Sequence, residues 1–155
     1  MELSRNLKID SVARLGPTPP QAIDAGRPVR DAVDQLRAAN VGCLLVTRAG
    51  KLVGLFTERD LLTRVLAVGL PLSVPLTECM TPDPVTVGPK DSVRTAILRM
   101  EAGGYRHLPV VDEAGRPAGV LSAKRIVRYL VEHFPGTVYN LPPDPDRHPD
   151  APDGA

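Results

Sequence analysis

Gly54-Leu55-Phe56-Thr57-Glu58-Arg59-Asp60-Leu61 recurs 65 positions later as Gly119-Val120-Leu121-Ser122-Ala123-Lys124-Arg125-Ile126. Small residues fall on small ones, apolar on apolar and hydroxyl on hydroxyl, until Asp60 meets Arg125. An internal repeat means that one structural unit is present twice and that the fold is built by packing the copies together. The position at which the copies diverge marks which of them retains an acid for a polar ligand.

The repeat extends on both sides of this motif. Ala49-Gly50-Lys51 matches Ala114-Gly115-Arg116 and Leu45-Val46 matches Val110-Val111 at the same spacing, whereas Val29, Ala32, Val33 and Leu36 match Val93, Ala96, Ile97 and Met100 at a spacing of 64. This alignment puts one gained residue between Gly103 and His107, sets Gly42 against His107 and sets Cys43 against Leu108. Each apolar quartet follows the i, i+3, i+4, i+7 rule of an amphipathic helix, with Asp91-Ser92 as N-cap chemistry in the second. Two short apolar strands follow in each copy, Cys43 to Thr47 and Leu52 to Phe56, then His107 to Asp112 and Pro117 to Leu121. The motif opens a second helix, with Leu61, Leu62, Val65 and Leu66 in one copy and Ile126, Val127, Leu130, Val131 and Phe134 in the other as its apolar face. Short extended segments, Gln21-Ala22-Ile23 and Val85-Thr86-Val87, precede the first helices.

The expected class is therefore α/β (α+β), a β-α-β-β-α unit in tandem. A unit of about 60 residues buries too little surface alone, so the two copies are expected to pack sheet to sheet about a pseudo-twofold axis. The expected boundaries are 8–69 for the first copy, 70–135 for the second and 136–155 for a Pro/Asp-rich tail with too little apolar content to support a core.

Composition narrows function. With 155 residues, 43% apolar content and a net charge of +1, the chain reads as a globular protein. The acidic tail, with Asp144, Asp146, Asp150 and Asp153 against Arg147, leaves the remainder mildly basic. That falls short of a nucleic-acid stripe, and only Phe56, Tyr105, Tyr129, Phe134 and Tyr139 could stack on bases. Cys43 and Cys79 show no metal or disulfide spacing, and His107, His133 and His148 no ligand spacing, so neither a metal site nor a catalytic triad can be assembled. No apolar run approaches 18 residues and the N-terminus has no leader-like core, so the expectation is a soluble cytoplasmic protein without a membrane partner.

Thr57 stands where a strand becomes a helix, with Asp60 three residues on. A Thr at the N-cap and an acid at N3 form a capping box, which satisfies free N–H groups and complements the helix dipole. The same geometry serves a ligand: a helix N-terminus with a hydroxyl receives phosphate, and a carboxylate one turn along accepts two hydrogen bonds from a ribose diol. The two readings are compatible.

Taken together, the doubled unit, the motif from Gly54 to Asp60, Met80-Thr81-Pro82 followed by Val85-Thr86-Val87, and Leu108-Pro109-Val110-Val111 resemble a tandem pair of CBS domains, a Bateman module, over residues 8–135. The resemblance implies regulatory binding of an adenosine-containing ligand, AMP, ADP, ATP or S-adenosylmethionine, between the copies. It gives Thr57 the phosphate and Asp60 the ribose, with Gln21, Ala22 and Leu55 against adenine. More narrowly, Arg106-His107-Leu108-Pro109-Val110 and Ser122-Ala123-Lys124-Arg125-Ile126 resemble a repeat in the gamma subunit of AMP-activated protein kinase. That likeness implies that Arg106, His107 and Lys124 complete the Thr57–Asp60 site. The mirror-image site, with Ser122, Arg125 and Arg59, lacks the ribose-binding acid and is expected to be empty or to take phosphate alone.

Two functions from different classes follow. One is a nucleotide-responsive module acting in trans on an unidentified regulated protein; the other is a ligand-independent dimerisation scaffold. The resemblance implies a homodimer in both cases, and no cofactor beyond the ligand. An enzyme is not expected.

Overall fold

The computed structural model describes residues 2–134, so the expected tail over 136–155, and Tyr139 with it, lies outside the described residues. Helix α1 (Glu2–Ile9) and a 3-10 turn (Val12–Leu15) lead into strand β1 (Ala22–Asp24), helix α2 (Val29–Ala39) and the hairpin β2 (Cys43–Arg48) and β3 (Lys51–Thr57). Helix α3 (Glu58–Asp60) continues as a wider π-helical stretch over Leu61–Leu66. A second 3-10 turn (Leu76–Glu78) and the two-residue β4 (Thr81–Pro82) precede α4 (Val93–Gly103), β5 (His107–Val111), β6 (Pro117–Ser122) and α5 (Ala123–His133). The expected α/β architecture of two like units is present.

The two copies exchange their leading segments. β1 pairs parallel with β2, β2 antiparallel with β3, and β3 antiparallel with β4, which comes from the connector. In the other sheet β5 and β6 pair antiparallel, Val87 bridges in parallel to Val110, and Thr18 from the N-terminal side bridges antiparallel to Val120. The strand order is thus the same in both, with Thr18-Pro19 playing toward β6 the part that Thr81-Pro82 plays toward β3. Glycines at Gly54 and Gly119 permit this: a Cβ on Gly119 would sit 3.0 Å from Pro17 and 3.1 Å from the Thr18 carbonyl. At Gly54 it would sit 2.5 Å from the Met80 sulfur and 3.0 Å from the Thr81 carbonyl.

Helix starts follow the same exchange. The N–H groups of Val29 and Arg30, which no side chain caps, donate to the Val74 and Leu72 carbonyls, and Val93 N–H donates to the Asp10 carbonyl. Ser92 caps α4 as expected, its hydroxyl accepting from Thr95 N–H at 3.1 Å. The apolar cores are divided accordingly. Val74, Leu76 and Cys79 from the connector are buried with Val29, Leu36, Leu44 and Phe56, while Val12 and Leu15 are buried with Val93, Met100, Leu121 and Ile126. Tyr129 closes the second core by donating its hydroxyl to buried Asp10, which also holds Arg14 at 2.7 Å. The packing therefore crosses the expected division at residue 70: residues 10–18 belong with the second copy and 72–82 with the first.

Strand register corrects the repeat alignment. Cys43 pairs with Thr57 and His107 with Ser122, Leu44 pairs with Phe56 and Leu108 with Leu121, and both hairpins shift register immediately after Val46 and Val110. The helix ends agree, with Asn40 and Gly104 both left-handed at the C-cap. Cys43 is thus the counterpart of His107 and Gly42 of Arg106. The extra residue of the second copy lies in the β5–β6 turn, not between Gly103 and His107. Adjacent apolar residues look alike in either alignment, whereas paired backbones admit one register.

The helical faces need a second correction. Leu61 packs on the core and Val65 is buried, but Leu62 and Leu66 are 60% and 53% exposed. Val127 is 58% exposed beside buried Ile126. One helical step turns a side chain by about 100°, so a run of neighbouring apolar residues cannot all face one core.

Candidate functional site

Each hairpin ends at the start of a helix, and the two ends have different chemistry. At the first, extended Thr57 leads into α3 and the expected capping box forms: Thr57 Oγ1 accepts from Asp60 N–H at 3.1 Å, and Asp60 Oδ2 accepts from Thr57 N–H at 3.1 Å. Asp60 Oδ2 also accepts from the Thr57 hydroxyl at 3.2 Å. Thr81, carried in on β4, donates its hydroxyl toward both carboxylate oxygens at 3.3 and 3.4 Å, and Arg64 Nε lies 3.5 Å from Oδ1. Asp60 is only 6% exposed, so its acceptor capacity is spent inside the protein. Thr81 is a partner that sequence reasoning missed; the Thr-Pro dipeptide shared with Thr18-Pro19 was its signal.

At the second end Ser122 caps α5 by accepting from Arg125 N–H at 3.1 Å. Arg125 offers no acceptor, and Thr18, the counterpart of Thr81, donates its hydroxyl to the Val120 carbonyl at 3.2 Å instead. A cleft of about 240 Å³ opens on this side. It is lined by Thr18, Pro19 and Gln21 from the N-terminal segment, by Val41, Gly42 and Cys43 at the entry to β2, by His107 at the start of β5, and by Val120 and Ser122 of β6. Both copies contribute to it.

The expected site residues separate between the two ends. Gln21 and His107 join Ser122 in the cleft, and Thr57 is not among the lining residues. Leu55, on β3, pairs with Leu45 and Thr81. Ala22 pairs with Leu45, and its carbonyl accepts from Gln35 at 2.8 Å. Arg106 and Lys124 are exposed on either side of His107, close enough for both charges to act on its ring. Arg59 is exposed and Arg125 half-buried. The cleft lies at the end that was expected to be empty or to take phosphate alone. Gly42 has no side chain to fill it, and the counterpart position in the other half carries Arg106. Sequence reasoning missed Thr18, Pro19, Val41, Gly42, Cys43 and Val120 as lining residues, because most offer backbone and shape rather than a recognisable functional group.

Titration properties fit a partly dehydrated site. Loss of hydration, and then the charges of Arg106 and Lys124, hold the His107 pKa below the usual imidazole value. Burial, assisted by the negative charge of Asp60, raises the Cys43 thiol to about 11, so it is a neutral apolar wall near neutral pH. Among the described residues no group of three His, Cys, Asp or Glu side chains could hold a metal ion, and no helix is long and apolar enough to cross a membrane.

Comparison with known proteins places this arrangement. The model of the CBS domain matches twice, over residues 12–67 and 76–132. Among curated relatives, the mitochondrial CBS domain-containing protein CBSX3 of Arabidopsis thaliana is 35% identical over 112 residues, 68% of this chain and 54% of that protein. The meiotically up-regulated gene 70 protein of Schizosaccharomyces pombe is 38% identical over 95 residues, 61% of this chain and 13% of that one. A third relative, CBSCBSPB3 of Arabidopsis thaliana, is 29% identical over 74% of this chain, which spans 21% of its length. The chain thus covers a minor part of several of these relatives. Among solved structures, PAE2072 from Pyrobaculum aerophilum, complexed with AMP, superposes with a TM-score of 0.70 at 27% identity, over 79% of this chain and 99% of that one. The domain pair of protein MJ0100, in complex with 5′-methylthioadenosine and S-adenosylmethionine, gives 0.71 at 25% identity over 80% and 98%. With two family matches in tandem, covering both halves of the repeat and their shared cleft, the chain belongs to the CBS domain family.

Proposed function

We propose that this chain is a regulatory module that binds an adenosine-containing ligand in the cleft between its repeats and modulates a partner protein in trans. The observation that carries the reading is the cleft itself, built from both copies and ending at a hydroxyl on a helix N-terminus. Adenine fits between Thr18-Pro19-Gln21 and Val41-Gly42-Cys43, where backbone groups and small side chains leave room for a flat ring. The sugar-phosphate end runs to Ser122 and the first turn of α5, where the helix dipole favours an anion. His107, Arg106 and Lys124 supply further donors to phosphate. Thr57 and Asp60 form the pseudo-symmetric end, where Thr81 competes with a ribose for the carboxylate. Relatives complexed with AMP and with S-adenosylmethionine support this class of ligand. A ligand that touches both copies stabilises one relative packing of them, and that is the means of regulation.

A thermal-shift panel of AMP, ADP, ATP and S-adenosylmethionine tests the reading. A ligand at 100 times its dissociation constant adds about 2.7 kcal/mol of stability. Gly42→Leu is expected to abolish the shift while the protein still folds, because the atoms nearest an added Cβ belong to the Glu58 side chain, at 3.6 Å, an ordinary contact distance. A panel without any shift would defeat the proposal. It would favour the dimerisation scaffold, for which exposed Leu62, Leu66 and Val127 offer an apolar surface, if light scattering also gave the mass of a dimer.

A further inference from the structure

Resting on the ligand class just proposed, we infer that Arg125 is a specificity-determining residue, selecting an adenosine ligand whose ribose carries a phosphate over one with a free cis-diol. Four observations converge. A cleft built from both copies ends at Ser122. Arg125 stands one turn into α5, its N–H bonded to the Ser122 hydroxyl, at the place where Asp60 follows Thr57. Asp60 reaches back to Thr57 and Thr81, and the counterparts of these two, Ser122 and Thr18, both line the cleft. Arg125 is not itself among the lining residues, but its backbone is bonded to Ser122, which is, so its side chain is rooted beside the end of the cleft.

The fourth observation is the state of the guanidinium. Arg14, Arg27, Arg64, Arg99 and Arg116 each have a carboxylate within 4.0 Å, four of them from an acid four residues away. Arg125 is half-buried and has no carboxylate partner among the described residues; four residues away it has Leu121 and Tyr129, three away Ser122 and Arg128. Lys124 and Arg128 on the same helix add positive charge, and Glu58 beside Gly42 is the carboxylate near the opposite wall.

A free cis-diol needs an acceptor, and a guanidinium has none. It would leave the diol unpaired, and the diol would leave the guanidinium without a counter-charge. A phosphate on the 2′ or 3′ oxygen reverses both deficits. It accepts a two-pronged charge-assisted pair from Arg125, and it lies at the positive end of an eleven-residue helix. Lysine would keep the charge and lose the planar fork.

Isothermal titration of AMP, adenosine 2′,5′-bisphosphate and adenosine 3′,5′-bisphosphate into wild type, Arg125→Asp and Arg125→Lys tests the inference. Expected is a preference of about tenfold or more for one bisphosphate over AMP in wild type, the difference that one charge-assisted contact provides. It should shrink in Arg125→Lys and reverse toward AMP in Arg125→Asp. Equal or tighter binding of AMP by wild type, or a preference unchanged by Arg125→Asp, overturns the inference while leaving adenosine binding intact. If no adenosine compound binds wild type, both this inference and the ligand class fall. Circular dichroism of each variant confirms that it is folded.

Discussion

The double variant Val12→Ala, Leu15→Ala is expected to lose about 3–6 kcal/mol of stability, a large part of the 5–15 kcal/mol available to a domain. Both side chains are almost fully buried in the second core, 0% and 4% exposed. They stand at the start of the first copy in sequence and are buried with the helices of the second. The loss arises at a distance from the substitution along the chain. Native-state hydrogen exchange should show protection falling in α4 and α5 before α2. Urea unfolding measures the magnitude. A change below about 0.5 kcal/mol, the scale of surface substitutions, would mean that residues 10–18 form an ordinary leader and that the segments are not exchanged.

Asp60→Ala is expected to cost about 2–4 kcal/mol, whereas Arg125→Ala at the counterpart position is expected to stay within about 0.5 kcal/mol. The carboxylate accepts from Thr57 N–H, the Thr57 hydroxyl and the Thr81 hydroxyl, and it lies near Arg64. Its removal ends the capping box, leaves β4 without its tie to α3, and strands donors in a nearly closed site. Asp60→Asn should recover part of the loss, because one amide oxygen can still accept. Denaturation of the three variants side by side checks this. Equal costs at the two positions would contradict the difference between the two helix starts.

Both expectations bear on how much of this molecule its residues reveal. Helix and strand positions were legible because their signals are local: the Val29 and Val93 quartets, the Ser92 cap and the capping box from Thr57 to Asp60. The exchange of segments was not, because nothing local to Val12-Ala13-Arg14-Leu15 says which copy's core it will enter. Its likeness to the connector turn at Leu76 becomes meaningful only once strand pairing is known. The register error around Cys43 has the same origin, since neighbouring valines and leucines match equally well with either offset.

The site was legible in its chemistry and less so in its geometry. Thr57 and Ser122 were read as matched hydroxyls and Asp60 and Arg125 as the position where the copies differ; both hydroxyls cap a helix, and Asp60 alone reaches back with its side chain. The cleft beside Gly42 and the engagement of the Asp60 carboxylate by Thr81 were not legible, because neither is a feature of the motif. Glycine contributes by what it leaves out, and a sequence motif does not record empty space. Of the basic groups singled out, His107 lines the cleft, and the charges of Arg106 and Lys124 act on its ring.

The central claim is that the cleft between the N-terminal segment, the entry to β2 and the end of β6 is the ligand site. A crystal structure of the wild-type protein with the adenosine ligand that gives the largest thermal shift tests it most directly. The account predicts adenine density between Thr18-Pro19-Gln21 and Val41-Gly42-Cys43, with phosphate at Ser122 and the first turn of α5. Density confined to the Thr57–Asp60 end, with the Thr81 hydroxyl displaced from the carboxylate and the Ser122 cleft empty, would contradict it.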